Sequence, residues 1–316
     1  MQFPSSVKSF ILVRIKTLYQ DSPIAVLCGG TSKEREISLL SGQAVYDSLL
    51  AQGYDVIKLD TQDASFLEPL KAAKVQRAFI ALHGPGGEDG EVARVLAQHD
   101  ISATGSCAQS SALAMDKMAT KRIWHQAQCC TPKACYVQDY TLEQLSQEIG
   151  FPMVIKPTLE GSSFGVKMVH AFEDLASSIQ SVQAYGPLMA EAFVAGRELT
   201  IGWVGDHLLP MIEITTPEGF YDYQAKYQSN STSYLFPKDI APNIEKQCYT
   251  LAQKAYQSLG CSGWGRVDFI LDQQNCPYLL EVNTIPGMTQ KSLVPKAAQA
   301  YGWSFDTLVS HILEAR

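Results

Sequence analysis

Residues Ile24–Gly30 form an unbroken apolar run ending in two glycines. After a Thr-Ser pair, a helical pattern runs from Glu34 through Leu40, Val45 and Leu49. That succession predicts a buried strand, a tight turn and a helix whose N-terminus faces the turn. Tyr54–Leu59 and Ala78–Leu82 read as two more buried strands. The second feeds the glycine-rich HGPGGEDGE and then a helix through Val92, Val95 and Leu96. Strand–helix alternation predicts a parallel sheet with helices on both faces. Ligands of such sheets gather outside the carboxyl ends of the strands, where both Gly-rich turns fall.

After Gly105 the pattern changes. A helix is expected over Ser110–Gln126, capped by serines. Strand pairs follow: Met153–Pro157 with Gly165–Val169, then Pro187–Val194 with Glu198–Val204, and a further strand over His207–Ile214. This predicts antiparallel sheets with helices packed on them. From Pro217 to Pro237 the chain is polar and aromatic without regular apolar spacing, a length usually reserved for functional loops such as lids. A helix over Ile244–Leu259, a hairpin and two terminal helical segments complete the pattern.

Composition narrows the function. Of 316 residues, 46% are apolar and 18% charged, enough for a large core in two or three domains. No apolar stretch approaches the ~18 residues needed to span a bilayer, so a soluble protein is expected. With 25 basic against 32 acidic residues, the net charge of −7 argues against a general nucleic-acid binder. A polyanionic ligand must be held by a few local Lys and Arg residues. The 8 cysteines form no CxxC pair and several lie in apolar runs such as IAVLC, which predicts reduced thiols in a cytosolic protein. The 6 histidines form no HExxH, so a zinc site is not expected. The first twenty residues are basic (Lys8, Arg14, Lys16), and Arg14 ends the apolar patch Phe10–Val13 too early for a signal peptide. They read as a cytosolic extension, with an amphipathic surface helix as the alternative.

The richest chemistry lies in GWGRVDFILDQQNCPYLLEVNTIPGM, where two strands flank the polar turn Asp272–Asn275. If Ile270 pairs with Leu279, Asp268 lies opposite Glu281 and Arg266 opposite Asn283, so four polar groups share one face. Val267, Phe269 and Leu271 then point to the other face with Leu280 and Val282. Two carboxylates and an amide oxygen make a hard-oxygen site suited to Mg²⁺ or Mn²⁺. Arg266 beside them suggests that negative charge develops there. A salt-bridged solvent face is the alternative.

VIKPTLEGSSFGV places Lys156 at the end of an apolar strand, followed by Glu160, Gly161, Ser162, Ser163 and Gly165. Small residues let backbone N–H groups approach phosphate oxygens, and Lys156 and Lys117 would supply point charges. An ordinary hairpin turn would look the same. Neither a Walker A motif nor a true GxGxxG is present. Glu34 could serve only the helix dipole, Ser292 only as an N-cap. His83 could be a satisfied core histidine or a ligand-facing one. Lys226 and Tyr227 lie in the expected lid.

In this order, GGTSKEREISLLSG, ALHGPGGEDGE, TGS with MDK, VIKPTLEGSSFGV, YDYQAKY, GCSGWGRVDF and LLEVNTIPGMT resemble the motifs of D-alanine–D-alanine ligases of the ATP-grasp superfamily. The resemblance runs from Ile24 to the C-terminus. It implies a mixed α/β and α+β architecture: an extension (1–20), a Rossmann-like domain (21–105), then central (106–191) and C-terminal (192–316) ATP-grasp domains, the last with the metal site and the lid 217–237. The implied activity joins two D-alanines to D-alanyl-D-alanine for peptidoglycan, releasing ADP and phosphate.

By the same resemblance Asp268, Glu281 and Asn283 hold two Mg²⁺ or Mn²⁺ ions. Lys117 and Lys156 contact the ATP phosphates, and the loop of Glu160, Gly161, Ser162 and Ser163 closes over them. Glu191, the Ala192 backbone and Val194 meet adenine, and Glu198 the ribose. Tyr221, Lys226 and Leu280 complete the nucleotide site. Glu34 holds the first D-alanine, with His83 nearby, in a triad with Ser162 and Tyr227. Ser292 and Leu293 bind the second, and Arg266 with the Gly287 N–H forms the oxyanion site. Tyr227 favours a dipeptide product over a D-lactate depsipeptide. Ala192 stands where relatives often carry Lys, a contact the backbone can make, and Ile285 stands where a small residue is common, which leaves the metal ligands intact. A cytoplasmic homodimer is implied, with no nucleic-acid or membrane partner.

Overall fold

The computed structural model describes residues 22–216 and 232–315. Its N-terminal part runs β1 (Ile24–Cys28), α1 (Arg35–Ala51), β2 (Val56–Asp60), α2 (Leu67–Ala72), β3 (Arg77–Ile80), α3 (Glu91–Ala97) and β4 (Ser102–Ala103). The four strands form a parallel sheet in the order β2-β1-β3-β4. All five residues of β1 are buried, as an unbroken apolar run demands of a central parallel strand. Gly42 lets α1 lie against Cys28, where a Cβ would collide.

The expected helix over Ser110–Gln126 is two helices, α4 (Ala108–Met115) and α5 (Lys117–Gln126). Asp116 breaks it: its backbone is extended and its carboxylate accepts hydrogen bonds from the Met118 and Ala119 amides, capping α5. The expected serine caps are not there; Ser110 and Ser111 lie inside α4.

A second sheet follows, from β5 (Ala134–Tyr136), α6 (Leu142–Ile149), β6 (Met153–Pro157), β7 (Lys167–Val169), α7 (Leu175–Val182) and β8 (Leu188–Ala192), antiparallel in the order β5-β8-β6-β7. The third comprises β9 (Gly196–Val204), β10 (His207–Leu208), β11 (Ile212–Thr215) and β12 (Ser233–Leu235). After α8 (Pro242–Ser258) it adds β13 (Trp264–Asp272) and β14 (Pro277–Asn283), and the chain ends in α9 (Leu293–Tyr301) and α10 (Phe305–Glu314). Its order is β12-β11-β9-β13-β14, with β10 on β9. The expected pair Pro187–Val194 with Glu198–Val204 does not form. β8 pairs with β5 and β6, β9 with β11 and β13, and the short turn between them carries the chain from one sheet to the other. The single strand expected over His207–Ile214 is split around Pro210, which has no N–H to donate to a ladder. Ser233–Leu235, expected to be irregular, pairs with β11.

Three cores follow. One joins β1 and β3 to α9 and α10 through Val294, Leu308 and Ile312. Arg77 fastens that join by donating to the Leu313 and Ala315 carbonyls at 2.8 and 3.1 Å. A second packs Ala114, Trp124 and Cys129 against α8, β13 and β14. The third lies under the central sheet. All eight cysteines are free thiols. Among the described residues no helix is long and apolar enough to cross a membrane.

Candidate active site

The metal-type ribbon forms largely as its alternation predicts. Arg266 lies opposite Asn283 and Asp268 opposite Glu281. Beyond Asp268 a bulge shifts the register, so Ile270 faces Tyr278 instead of Leu279. The slip corrects the apolar face: Leu279, not Leu280, joins Val267, Phe269, Leu271 and Val282 in the core. Leu280 turns to a cleft instead. Asp268 is buried, takes a forked hydrogen bond from Arg266 (2.8 and 2.7 Å) and accepts from the Thr200 hydroxyl at 2.5 Å. Asn283 Oδ1 accepts from the Ile285 amide at 3.0 Å and keeps a second lone pair. Among the described residues no trio of His, Cys, Asp or Glu is assembled for a metal. Two carboxylates and one amide oxygen on one ribbon face nevertheless fit a hard divalent cation.

On one side of this ribbon lies a pocket lined by Glu34, His83, Lys117, Gly161, Ser162, Arg266, Glu281, Asn283, Gly287, Ser292 and Leu293. Glu34 occupies the N-cap position of α1 but makes no cap bond; its buried carboxylate accepts the Ser162 hydroxyl instead. The dipole reading is thereby insufficient. Gly84 permits this placement, since a Cβ there would stand 2.8 Å from Glu34 Oε2. His83 resolves as a satisfied buried histidine on the pocket wall: Nε2 meets the Ser41 hydroxyl at 2.9 Å and Nδ1 the Ile285 carbonyl at 3.1 Å. Burial pulls its pKa down to about 4, so the ring is neutral near pH 7. Ser292 precedes α9 as its N-cap residue, yet its Oγ makes no cap bond and accepts from the Thr289 amide at 3.1 Å.

Sequence reasoning missed Glu88, which lines the same pocket. Burial, then the Glu34 and Glu281 carboxylates, push its carboxyl well above the usual range against the pull of Arg266 and Lys117. Its signal was an acid inside the glycine-rich turn after β3.

On the other side a cleft runs between the second and third sheets. It is lined by Lys117, Lys156, Glu160, Ser163, Glu191, Ala192, Val194, Glu198, Asp268, Leu280 and Glu281. The loop at its edge has Ser162, Ser163 and Gly165 at φ of +48°, +58° and +70°, and it is closed by the Phe164 N–H donating to the Gly161 carbonyl at 3.1 Å. Lys117 donates to the Glu160 carbonyl at 2.8 Å and stands 3.4 Å from Glu281. Lys33 pairs with Glu160 at 2.9 Å and sits over the Tyr185 ring. Deeper in the cleft, Glu191 is wedged between Lys156 and Lys121, each at 2.5 Å. Burial alone would raise the Glu191 pKa, but the two ammoniums hold it below the usual value. Lys121 was also missed; its signal is a second lysine four residues after Lys117, on the same side of α5. Tyr221, Lys226 and Tyr227 lie outside the described residues. Tyr234 on β12 lines the first pocket.

The two cavities share Lys117 and Glu281, so a group in one lies against a group in the other. Two antiparallel sheets enclose a lysine-lined cleft beside an acidic ribbon, the architecture of the ATP-grasp fold. The family model described as D-ala D-ala ligase C-terminus matches residues 129–314. The chain is 45% identical over 295 residues to the D-alanine--D-alanine ligase of Acinetobacter baumannii, covering 92% of this chain and 95% of that one. It is also similar to the crystal structure of the Bacillus anthracis ligase (TM-score 0.83, 33% identity, 93% of this chain and 96% of that one). A structure of the same enzyme complexed with ATP gives a TM-score of 0.81 at 30% identity, with the same coverage. The chain belongs to the D-alanine–D-alanine ligase family.

Proposed function

We propose that this protein joins two D-alanines into D-alanyl-D-alanine at the expense of ATP, through a D-alanyl phosphate, for peptidoglycan precursor synthesis. The observation that carries this reading is the shared wall: Lys117 and Glu281 border both the small polar pocket and the long cleft. A carboxylate in the first can then meet a terminal phosphate in the second, which in-line phosphoryl transfer requires.

A carboxylate is a poor electrophile, so the first D-alanine must be activated before its carbon can be attacked. Glu34 takes its ammonium. Lys117, Lys156 and the 160–165 loop hold the phosphates, while Glu191, Ala192, Val194 and Leu280 surround the base and Glu198 the ribose. Asp268, Glu281 and Asn283 would hold Mg²⁺ or Mn²⁺, which supplies charge neutralisation across the transferring phosphoryl group. The Ser292 hydroxyl, with Leu293 beside it, binds the second carboxylate. Arg266 and the Gly287 amide face the oxyanion that forms when the second amine attacks. Lys226, Tyr221 and Tyr227 fall in the segment that the sequence leads one to expect as a lid, whose role would be to exclude water that hydrolyses the acyl phosphate. The cytoplasm as the working compartment and a homodimer as the assembly follow from the family resemblance.

Incubation with ATP, Mg²⁺ and D-alanine, D-serine or D-lactate, followed by mass analysis, tests the reading. D-Alanyl-D-alanine with equimolar ADP is expected; no ADP release with D-alanine, or exclusive use of another second substrate, overturns it.

A further inference from the structure

Helix α5 carries two lysines four residues apart with different surroundings. Lys117 borders both cavities, whereas Lys121 is buried and lines neither. The Lys121 ammonium meets three oxygens: Glu191 Oε1 at 2.5 Å, Thr131 Oγ1 at 2.6 Å and the Pro132 carbonyl at 2.9 Å. Two of its three N–H groups are taken by Thr131 and Pro132, and the Glu191 carboxylate stands beside it at ion-pair distance. Thr131 in turn donates to the Leu279 carbonyl at 2.8 Å, which ties the set to β14. The other oxygen of Glu191 takes Lys156 at 2.5 Å, and Lys156, unlike Lys121, lines the nucleotide cleft.

We infer that Lys121 is a positioning residue for nucleotide binding, fixing the Glu191 carboxylate at the base end of the cleft so that the phosphates can draw Lys156 away. The inference rests on the proposal that this cleft takes ATP with Lys156 on its phosphates. Once Lys156 turns to a phosphate, a carboxylate that is only 3% exposed needs another countercharge. Without one it would take up a proton or rotate out of place, and would lose its capacity to accept the exocyclic N–H of the base. Lys121, held by Thr131 and Pro132, cannot follow Lys156 into the cleft.

The test compares wild type with Lys121→Met, Lys121→Arg and Thr131→Val. ADP release gives kcat and the KM for ATP and D-alanine, and thermal melts report folding. Lys121→Met should raise the KM for ATP by roughly tenfold or more, the scale of a lost hydrogen bond to a charge. The KM for D-alanine should stay within about twofold. Lys121→Arg, which keeps the charge, should recover most of the loss, and Thr131→Val should give a smaller rise confined to ATP. A folded Lys121→Met with an unchanged KM for ATP, or with equal rises for both substrates, overturns the inference. Should Lys121→Met not fold, Thr131→Val decides: a rise for ATP alone supports the inference and wild-type values overturn it. A wild-type protein that releases no ADP from ATP and D-alanine refutes the ligase reading itself, and this inference with it.

Discussion

Glu34→Gln separates the two roles proposed for one carboxylate. The buried side chain faces the amino-acid pocket and also accepts the Ser162 hydroxyl from the loop at the cleft edge. Glutamine keeps the shape and an acceptor oxygen for Ser162, so the loop tie survives; only the negative charge is lost. A charge-assisted hydrogen bond is worth about 1.5–3 kcal/mol. Its loss against a substrate ammonium therefore predicts a KM for D-alanine raised roughly 10- to 150-fold. The KM for ATP should remain within about twofold of wild type, because the nucleotide cleft does not include Glu34. Ser162→Ala is the complementary change: it leaves the Glu34 charge but cuts the loop tie, and should raise the KM for ATP more than that for D-alanine. Both variants are measured by ADP release, each substrate varied with the other saturating. If Glu34→Gln moves both KM values alike, Glu34 acts through the loop and its assignment to the substrate ammonium is wrong.

Two further outcomes follow from named groups. Burial holds His83 near a pKa of about 4 against an ordinary 6.5, so the unfolded chain binds a proton between those values and the folded one does not. Its stabilising contribution is full above pH 6.5 and is lost as pH falls toward 4, up to about 3 kcal/mol. Denaturant midpoints from pH 7.5 to 4.5 should fall less steeply in His83→Asn than in wild type, and parallel slopes would refute the assignment. His311, also pulled down to about 4 by burial and then by the His207 charge, contributes to both slopes equally. Asp268→Asn should lower kcat by about a hundredfold or more and shift activation by Mn²⁺ to higher concentration. It should also lower the melting temperature, since the half-buried Arg266 fork loses its anion. Wild-type dependence on metal would remove Asp268 from the proposed ligands.

What the sequence could show was set by how local each signal is. Alternation with period two in RVDF and LLEVN placed Arg266, Asp268, Glu281 and Asn283 on one face, and the ribbon bears that out. The bulge after Asp268 leaves no mark in residue type, so Leu279 and Leu280 exchanged roles between core and cleft. Consecutive strands usually pair, which is why β8 and β9 were expected to be partners; their separation into different sheets is a choice of tertiary packing that neither strand's pattern records. The break at Asp116 was legible in principle, as an N-cap acid two and three residues before the amides it accepts. Contacts such as Lys121 with Glu191, or Lys33 with Glu160, join positions with no common periodicity, and only the fold brings them together.

The loop over residues 160–165 connects these observations physically. Ser162 and Ser163 sit in left-handed conformations that cost a non-glycine residue of the order of 1–3 kcal/mol each. Three ties oppose that cost: Ser162 to Glu34, Lys117 to the Glu160 carbonyl, and Lys33 to the Glu160 carboxylate. One tie ends in the amino-acid pocket, one at the wall shared by both cavities and one on the turn after β1. The loop conformation that lines the nucleotide cleft is thus held partly by groups belonging to the other substrate's pocket. An ammonium that takes over the Glu34 carboxylate changes the balance on Ser162, and through it the loop over the phosphates. If Glu34 takes the substrate ammonium as proposed, binding of the two substrates should be coupled through Ser162. By reciprocity, D-alanine should change the affinity for ATP by the same factor as ATP changes that for D-alanine. Equilibrium titrations of each ligand with and without the other measure that factor, and it should shrink toward one in Ser162→Ala; a factor unchanged in that variant would place the coupling elsewhere.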